Sequence, residues 1–228
     1  MIRFFDVIFS LIAIIFLAPL FLIISIILKF TGEGIIFFFQ ERIGKGRKPF
    51  KLIKFVTMVK DSENIGTGTV TVKNDPRILP FGAFLRKTKI NELPQLINIL
   101  KGDMSIIGPR PQAIDCFNAF PRNMQDIIVI IKPGLSGIGP IIFRDEEEIL
   151  TDQEDSIEFY NDVIGPYKAK VEAWYAENKS LYKYFLLILI TCWVILFPKS
   201  NIVWKSLKNI PIPPDQLKSA LNYRDLND

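Results

Sequence analysis

Residues 88–111 read TKINELPQLINILKGDMSIIGPRP, and this is the most informative stretch of the chain. Its apolar residues recur at helical spacing (i, i+3, i+4, i+7), which predicts an amphipathic helix containing Leu93, Leu96, Ile97 and Leu100. Lys101-Gly102 is a typical stop signal for such a helix. Asn91 is a favoured N-cap residue, and Glu92 would stabilise the first turn through the helix dipole. These features alone describe a well-capped helix.

The charges around the helix add a second interpretation. Arg86, Lys87 and Lys89 come just before the predicted cap, and Arg110 stands between two prolines just after the helix. A helix N-terminus surrounded by cations is suited to bind a diphosphate, because its free N–H groups and the arginines all favour negative charge. The stretch therefore predicts a phosphate site beside a carboxylate.

Composition excludes several classes of function. The chain has 228 residues, enough for one domain with extra elements, and its net charge of +4 does not indicate a nucleic-acid binder. The absence of histidine excludes His-based catalysis and His–metal sites, and the two isolated cysteines predict neither a disulfide nor a zinc site. Basic residues are concentrated in one segment that suits an anionic bilayer or a phosphorylated substrate: Lys45, Arg47, Lys48, Lys51, Lys54 and Lys60.

Residues 7–28 predict a membrane helix. The segment carries no charge and would extend about 33 Å, which is enough to cross the hydrocarbon. Pro19 predicts a kink near its middle. A spanning helix and a bent, re-entrant helix are both compatible with the sequence, and the cost of exposed backbone at a bend favours spanning. In both topologies the basic segment after Lys29 places the rest of the chain in the cytoplasm.

A second apolar stretch covers residues 184–197 and ends at Pro198. Its length is short for a membrane span, and basic and aromatic residues flank both ends. We expect the region 183–204 to form a helix that lies in the membrane interface or in the protein core.

Three other segments suggest only structure. Residues 50–58 and 70–72 are β-prone, and Gly66-Thr67-Gly68 between them reads as a turn, since it lacks the Gly-Lys-Ser/Thr ending of a P-loop. The acidic run 145–155 predicts a solvated face or loop, because no metal-ligand spacing is recognisable. The aromatic residues between 158 and 177 are expected to pack in the core.

Several ordered blocks together resemble one family, the bacterial sugar transferases known as monotopic polyprenyl-phosphate phosphoglycosyl transferases. The N-terminal apolar segment with its central proline is followed by Gln40-Glu41-Arg42-Ile43-Gly44, Lys54-Phe55-Val56-Thr57-Met58, Asn74-Asp75-Pro76-Arg77, Leu85-Arg86-Lys87-Thr88, Glu92-Leu93-Pro94-Gln95-Leu96, Lys101-Gly102-Asp103-Met104-Ser105 and Gly108-Pro109-Arg110-Pro111. The resemblance covers roughly residues 4–111, and Lys132-Pro133-Gly134-Leu135-Ser136-Gly137 is also of the family's type.

The resemblance implies a mixed α/β, helix-rich fold with a small sheet and interfacial amphipathic helices. It implies a re-entrant membrane helix over residues 1–30, broken at Ala18-Pro19, and a cytoplasmic transferase domain over 31–228 at the bacterial inner membrane. The implied reaction moves a sugar 1-phosphate from a nucleotide diphosphate sugar to undecaprenyl phosphate with Mg²⁺ and releases UMP. Membrane lipids and downstream glycosyltransferases are the other implied partners, and nucleic acid is not one.

The family's helix start carries an Asp-Glu dyad whose Asp attacks the diphosphate, and here Asn91 occupies the Asp position. Val56 is a second departure, where the family usually has Arg. Glu92 could be the nucleophile, or the base for direct attack by the lipid phosphate; alternatively, the chain is an inactive, binding-only relative, or a variant of an Asp enzyme. The predicted site residues are Glu92 and Asn91 for catalysis, Glu92 for the metal, and Arg42, Lys54, Arg77, Arg86, Lys87 and Arg110 for phosphate.

Overall fold

The computed structural model describes residues 1–31, 33–65, 75–151 and 153–223. It begins with a long apolar helix, α1 (Ile2–Phe30), the one helix among the described residues that is long and apolar enough to cross a membrane. The expected break at Ala18-Pro19 does not interrupt this helix, which continues through Pro19. A proline removes a single hydrogen bond, and the neighbouring turns of α1 keep theirs.

Two small sheets follow in the described chain. Strands β1 (Phe37–Ile43) and β2 (Pro49–Phe55) pair antiparallel, with Gln40 opposite Leu52. Strands β3 (Ser105–Ile107) and β4 (Gly134–Ser136) pair parallel. The strand predicted at 50–58 is therefore confirmed as far as Phe55, whereas the predicted turn at 66–68 and strand at 70–72 lie outside the described residues. The mixed fold with a small sheet is confirmed.

The rest of the described secondary structure is helical. The helices are α2 (Pro80–Lys87), α3 (Gln95–Lys101), α4 (Ile114–Asn118), α5 (Arg122–Ile128), α6 (Ile138–Ile142), α7 (Glu146–Thr151), α8 (Ser156–Phe159), α9 (Gly165–Glu177), α10 (Leu181–Leu196), α11 (Ile202–Ser206) and α12 (Asp215–Lys218). A π-helical turn (Tyr160–Ile164) joins α8 to α9.

The main core lies between α9 and α10. Tyr160, Tyr167 and Tyr175 are buried there, so the prediction that these aromatic residues pack in the core is confirmed. One face of α10 is also buried in this core, through Tyr184, Leu187, Ile190 and Val194. Its opposite face exposes large apolar side chains, among them Leu189 and Trp193. The core position predicted for residues 183–204 therefore holds for one face of α10, and the interfacial position stays a prediction for the other.

Helix α1 packs on the domain along its whole length. Its start contributes Ile2 and Phe5 to the main core. Its middle packs against buried residues of β2 and α3, and its end packs around Phe55 and Leu85. The exposed face of the same helix is apolar, with Ile12, Ile15 and Phe16 on the surface. One side of α1 is thus core, and the other is free to meet lipid.

Polar contacts fix the first turns of α1. Asp6 is buried, and its Oδ1 accepts hydrogen bonds from Ser105 Oγ at 3.0 Å, Ile106 N at 2.9 Å and Tyr184 Oη at 2.9 Å. Arg3 donates to the last carbonyls of α3, Ile99 O and Leu100 O. A buried carboxylate needs such partners, so α1 is joined through polar atoms to α3, β3 and α10.

Candidate active site

The segment that carries Asn91 and Glu92 is a 3₁₀ turn (Ile90–Glu92) that precedes α3. Lys89 opens the turn in the left-handed conformation with φ of 59°, and α3 begins only after Pro94. The helix and its end at Gly102 are confirmed, but the prediction that Asn91 caps the helix is wrong. The extra turn moves the helix start past Asn91, so Asn91 and Glu92 sit in the approach to α3.

Glu92 forms an ion pair with Arg110, whose Nη2 lies 2.9 Å from Glu92 Oε1. Arg110 belongs to the turn after β3, and close backbone contacts hold that turn against β4. Gly108 N donates to Ser136 O at 2.9 Å, and Gly134 N donates to Pro109 O at 2.8 Å. A Cβ at Gly108 would lie 2.8 Å from Gly134 N, so only glycine allows this approach.

A buried carboxylate fixes the Arg110 backbone from behind. Glu172 on α9 accepts a hydrogen bond from Arg110 N at 2.9 Å through Oε1, whereas its Oε2 is buried without a partner. Burial raises the pKa of Glu172 to about 7, although the backbone N–H of Arg110 and the charge of Lys168 act in the opposite direction. The Arg110 turn is therefore anchored to the main core.

Cations control the ionisation of Glu92. Burial alone would raise the pKa of this carboxyl group, but Arg110, Lys54 and Lys89 outweigh that effect and lower the pKa to about 2. Glu92 is therefore an ionised carboxylate throughout the neutral range, and it is a weak base.

The paired strands supply two further cations. Arg42 on β1 donates to Gln40 Oε1 through Nε at 3.0 Å, and Lys54 Nζ on β2 donates to the same oxygen at 3.3 Å. Burial lowers the pKa of Lys54 to about 7, and the charges of Arg42 and Arg110 lower it while Glu92 raises it. Lys54 thus lies within a group of arginines around Glu92, and the β1–β2 pairing aligns it there.

Arg86 is held by the acidic segment. Its Nη2 lies 2.5 Å from Glu147 Oε1, and Lys168 Nζ lies 2.5 Å from the neighbouring Glu146 Oε2. The prediction of a solvated acidic face is therefore wrong for Glu146, whose side chain is 22% exposed, whereas the side chain of Glu147 stays 47% exposed while it pairs with Arg86. Asp152, in the same predicted run, lies outside the described residues.

Two predicted phosphate ligands, Arg77 and Lys87, are not joined to Glu92 or Arg110 by a hydrogen bond or ion pair among the described residues. Arg77 is buried, and it makes a two-point ion pair with Asp75, at 2.8 Å through Nε and 2.5 Å through Nη2. Its Nη1 donates to Ser62 O and Ile65 O at 2.7 Å each. These contacts give Arg77 a structural role, because they tie Asp75 to the backbone of residues 62 and 65. Lys87 is exposed on α2 and makes no side-chain hydrogen bond to the described residues.

Asn91 is buried with an unpartnered oxygen. Only 7 % of the residue is exposed, and Oδ1 has no hydrogen-bond donor among the described residues. Leaving a buried acceptor unpaired costs roughly 1–3 kcal/mol, so such atoms usually mark a functional position or a missing partner.

Three residues that support the site were not predicted from the sequence. Glu172 anchors the Arg110 turn, Gln40 orients Arg42 and Lys54, and Asn98 ties α3 to β2 by accepting from Ile53 N at 3.0 Å and donating to Lys51 O at 2.8 Å. Gln40 lies in a block typical of the family, which was the one available signal. The other two act across long separations that no local pattern reports.

Residues 1–198 match the bacterial sugar transferase family. The chain belongs to this family. A relative from Rhizobium meliloti (strain 1021), exopolysaccharide production protein ExoY, is 30% identical over 203 residues, which is 83% of this chain and 82% of the relative. Membership, together with the long apolar helix α1, makes this a membrane-associated protein.

Two further relatives carry names that state a reaction. The UDP-N-acetylgalactosamine-undecaprenyl-phosphate N-acetylgalactosaminephosphotransferase of Aeromonas hydrophila is 37% identical over 139 residues, or 60% of this chain. The UDP-glucose:undecaprenyl-phosphate glucose-1-phosphate transferase of Escherichia coli (strain K12) is 35% identical over 157 residues, or 68% of this chain. The matched regions span 33% and 34% of those two proteins, so each is much longer than the part shared here.

Proposed function

We propose that this chain transfers a sugar 1-phosphate from a UDP-sugar to undecaprenyl phosphate, producing undecaprenyl-diphosphate-sugar and UMP. This reaction would be the first membrane step of polysaccharide or glycan assembly. The observation that carries the proposal is the ionised Glu92 held 2.9 Å from Arg110, with Lys54 beside it. Family membership and the names of the relatives point to the same reaction class.

The cations would bind the diphosphate of the donor. Arg110 is 35 % exposed at its side chain, so its guanidinium can meet an incoming phosphate, and its planar fork suits two-point contact. Arg86 would become available when the phosphate replaces Glu147. Lys54, with a pKa of about 7, would gain a proton as the negative diphosphate arrives.

Glu92 suits the role of nucleophile better than that of base. A carboxylate with a pKa of about 2 takes up protons poorly, and an ionised lipid phosphate needs no strong base to attack. In the proposed first step a Glu92 oxygen forms a bond to the sugar-bearing phosphorus, and the bond from that phosphorus to the UMP oxygen breaks with its electron pair leaving on UMP. A lipid phosphate oxygen then displaces Glu92, which regenerates the carboxylate.

Magnesium is part of the proposal. In the described part of the chain no three acidic or cysteine side chains cluster into a metal site, but Mg²⁺ commonly binds through one or two protein oxygens together with waters and substrate phosphates. Glu92 and the unpartnered Oδ1 of Asn91 fit that donor set. When bound, the ion would neutralise charge on the leaving UMP.

We propose that α1 keeps both ends at the cytoplasmic face. A helix spanning the bilayer would carry the elements packed along it, including Phe55 and Leu85, to hydrocarbon depth. Because α1 is unbroken at Pro19, its exposed apolar side would lie in the cytoplasmic surface of the bilayer, where the transferase domain meets the nucleotide sugar. Contacts with membrane lipids and with downstream glycosyltransferases belong to the same proposal.

The deciding experiment measures UMP release from a panel of UDP-sugars with undecaprenyl phosphate and Mg²⁺. The purified parent is compared with Glu92→Gln and Asn91→Asp. We expect turnover in the parent, its loss in Glu92→Gln, and exchange of labelled UMP into the UDP-sugar without lipid. Turnover without exchange would replace the covalent step by direct attack. A silent parent beside an active Asn91→Asp would indicate a binding-only relative.

A further inference from the structure

A second group of cations lies at the start of α1, contributed by four separate segments. Arg3 comes from α1, Lys45 from the turn after β1, Lys132 from the loop before β4 and Lys179 from the loop before α10. Lys132 Nζ and Arg3 Nη2 both approach Gly102, at 3.4 and 3.5 Å from where its Cβ would be. The four residues are hereafter called the basal cluster.

The lysines of the basal cluster have no polar partner among the residues that the structure describes. The side chains of Lys45, Lys132 and Lys179 make no hydrogen bond or ion pair with the described residues, although Lys132 and Lys179 are half-buried. Burial lowers the pKa of Lys132, and the charges of Arg3 and Lys45 lower it further. Burial also lowers the pKa of Lys179, with Lys45 and Lys132 among its neighbouring charges.

Two carboxylates face the cluster, and both already accept hydrogen bonds from other residues. Asp6 Oδ1 accepts three hydrogen bonds from within the protein, and Asp103 Oδ2 accepts from Asn98 at 3.2 Å. Four cations against two engaged carboxylates leave a local excess of positive charge. Holding half-buried ammonium groups close together without hydrogen-bond partners costs free energy. This arrangement therefore favours the binding of an anion.

The surroundings of the cluster indicate where that anion comes from. The two long apolar helices, α1 and α10, both begin here. Large apolar side chains on the same segments are exposed, with Phe4 at 63%, Ile130 at 64% and Tyr182 at 72%. Cations with exposed aromatic and aliphatic neighbours are typical of the headgroup region of a bilayer, where lysines extend to lipid phosphates.

We propose that the basal cluster binds the phosphate of an anionic phospholipid and so fixes the start of α1 at the membrane surface. The site is separate from the candidate active site. The charges that surround Lys132 are Arg3, Asp6, Lys45 and Asp103, whereas those around Lys54 are Arg42, Arg86, Glu92 and Arg110. Binding here would orient the domain on the bilayer without occupying the donor site.

A purely structural role is the competing explanation. Arg3 donates to the carbonyls at the end of α3, and a cation near a helix C-terminus is favourable by itself. That role accounts for Arg3 and in part for Lys132. The same effect acts on Lys179, which directly follows the Asn178 C-cap of α9. It leaves Lys45 unexplained and gives no reason for the lysines to lie together, so the test is directed at the lysines and keeps Arg3 unchanged.

The experiment is native mass spectrometry of the full chain in detergent with added phosphatidylglycerol, phosphatidylcholine or inorganic phosphate. The variant is Lys132→Gln/Lys179→Gln, and the control is Lys170→Gln/Lys208→Gln, two exposed lysines elsewhere. Each lysine near an anionic surface contributes roughly fivefold to binding, so we expect about 25-fold weaker phosphatidylglycerol retention in the variant. The control and Lys132→Arg/Lys179→Arg should retain the lipid.

Each other result would overturn the proposal. Equal retention of phosphatidylglycerol by the parent and the glutamine variant would show that the basal cluster does not bind this lipid. Equal retention of phosphatidylcholine would show that headgroup charge does not matter. Binding of inorganic phosphate as tight as that of the lipid would assign the site to a free anion. Thermal unfolding of the variant, measured in parallel, shows whether it is folded. If it is not, the parent's retention of phosphatidylglycerol over phosphatidylcholine and inorganic phosphate decides the test.

Discussion

Lys54 is the residue whose charge should respond most directly to substrate and pH. Its pKa of about 7 in the free protein reflects burial and the neighbouring Arg42, so neutral and charged side chains coexist near pH 7. A bound diphosphate favours the charged form. We therefore expect UDP to bind with net proton uptake near pH 7 and to bind more weakly as the pH rises above 7.

Calorimetry in two buffers of different ionisation enthalpy measures this proton uptake without turnover. Lys54→Arg is the matched control, because a guanidinium stays charged over the whole range. We expect that variant to bind UDP with little dependence on pH between 7.5 and 8.5, a range in which the terminal phosphate of UDP is already fully ionised. The same pH dependence in both proteins would assign the proton to another group.

Arg77 allows the structural and phosphate-binding interpretations to be separated. Its two-point pair with Asp75 is buried, so Arg77→Gln should leave an uncompensated buried carboxylate and destabilise the fold by about 3 kcal/mol. Chemical unfolding in detergent measures the loss, and Asp75→Asn/Arg77→Gln should recover part of it. UDP affinity of the folded variant should equal that of the parent. A stable variant with weaker UDP binding would indicate that Arg77 binds the phosphates of UDP.

At the scale of elements, Asp6 joins three of them. Asp6→Ala leaves Ser105, Ile106 and Tyr184 without their acceptor, whereas Asp6→Asn retains Oδ1. We expect the alanine variant to lose several kcal/mol of stability and the asparagine variant to lose less. Thermal unfolding gives the comparison. Ile2→Cys in a Cys116→Ser/Cys192→Ser background should react faster with a thiol reagent once Asp6→Ala frees the end of α1. Unchanged labelling would show that apolar packing alone holds this end.

The secondary-structure elements show which features of the fold local sequence patterns could predict. The spacing of Leu96, Ile97 and Leu100 predicted α3, and Gly102 its end, because both signals belong to one helix. The N-cap prediction failed because the left-handed Lys89 starts a separate turn, which propensity alone does not anticipate. Glu92 and Arg110 were both predicted, since each lies in a recognisable motif. Glu172 was not, because its hydrogen bond to Arg110 spans 62 positions and depends on the packing of α9.

Over the whole molecule, α1 serves as core as well as membrane element. Its buried face covers apolar residues of β2, α2 and α3, including Phe55, Leu85 and Ile99. If α1 were only a membrane anchor, its removal would leave a stable domain. We expect removal of residues 1–30 to expose this apolar surface, so that residues 31–228 aggregate or unfold without cooperativity. Circular dichroism melting and limited proteolysis would show this, and a soluble, cooperatively melting fragment would contradict it.

The two faces of α1 provide a sharper test in the intact chain. Ile24 and Leu28 are each 3% exposed, whereas Ile12, Ile15 and Phe16 are 60%, 66% and 81% exposed. Ile24→Ala/Leu28→Ala should destabilise the detergent-solubilised protein by roughly 2–5 kcal/mol for each buried side chain. Ile12→Ser/Ile15→Ser/Phe16→Ser should leave its melting temperature near that of the parent but weaken its retention in vesicles. Equal destabilisation by both sets would mean that the exposed face packs on protein. Equal tolerance would mean that α1 is only an anchor, and the domain would then have to be stable without it.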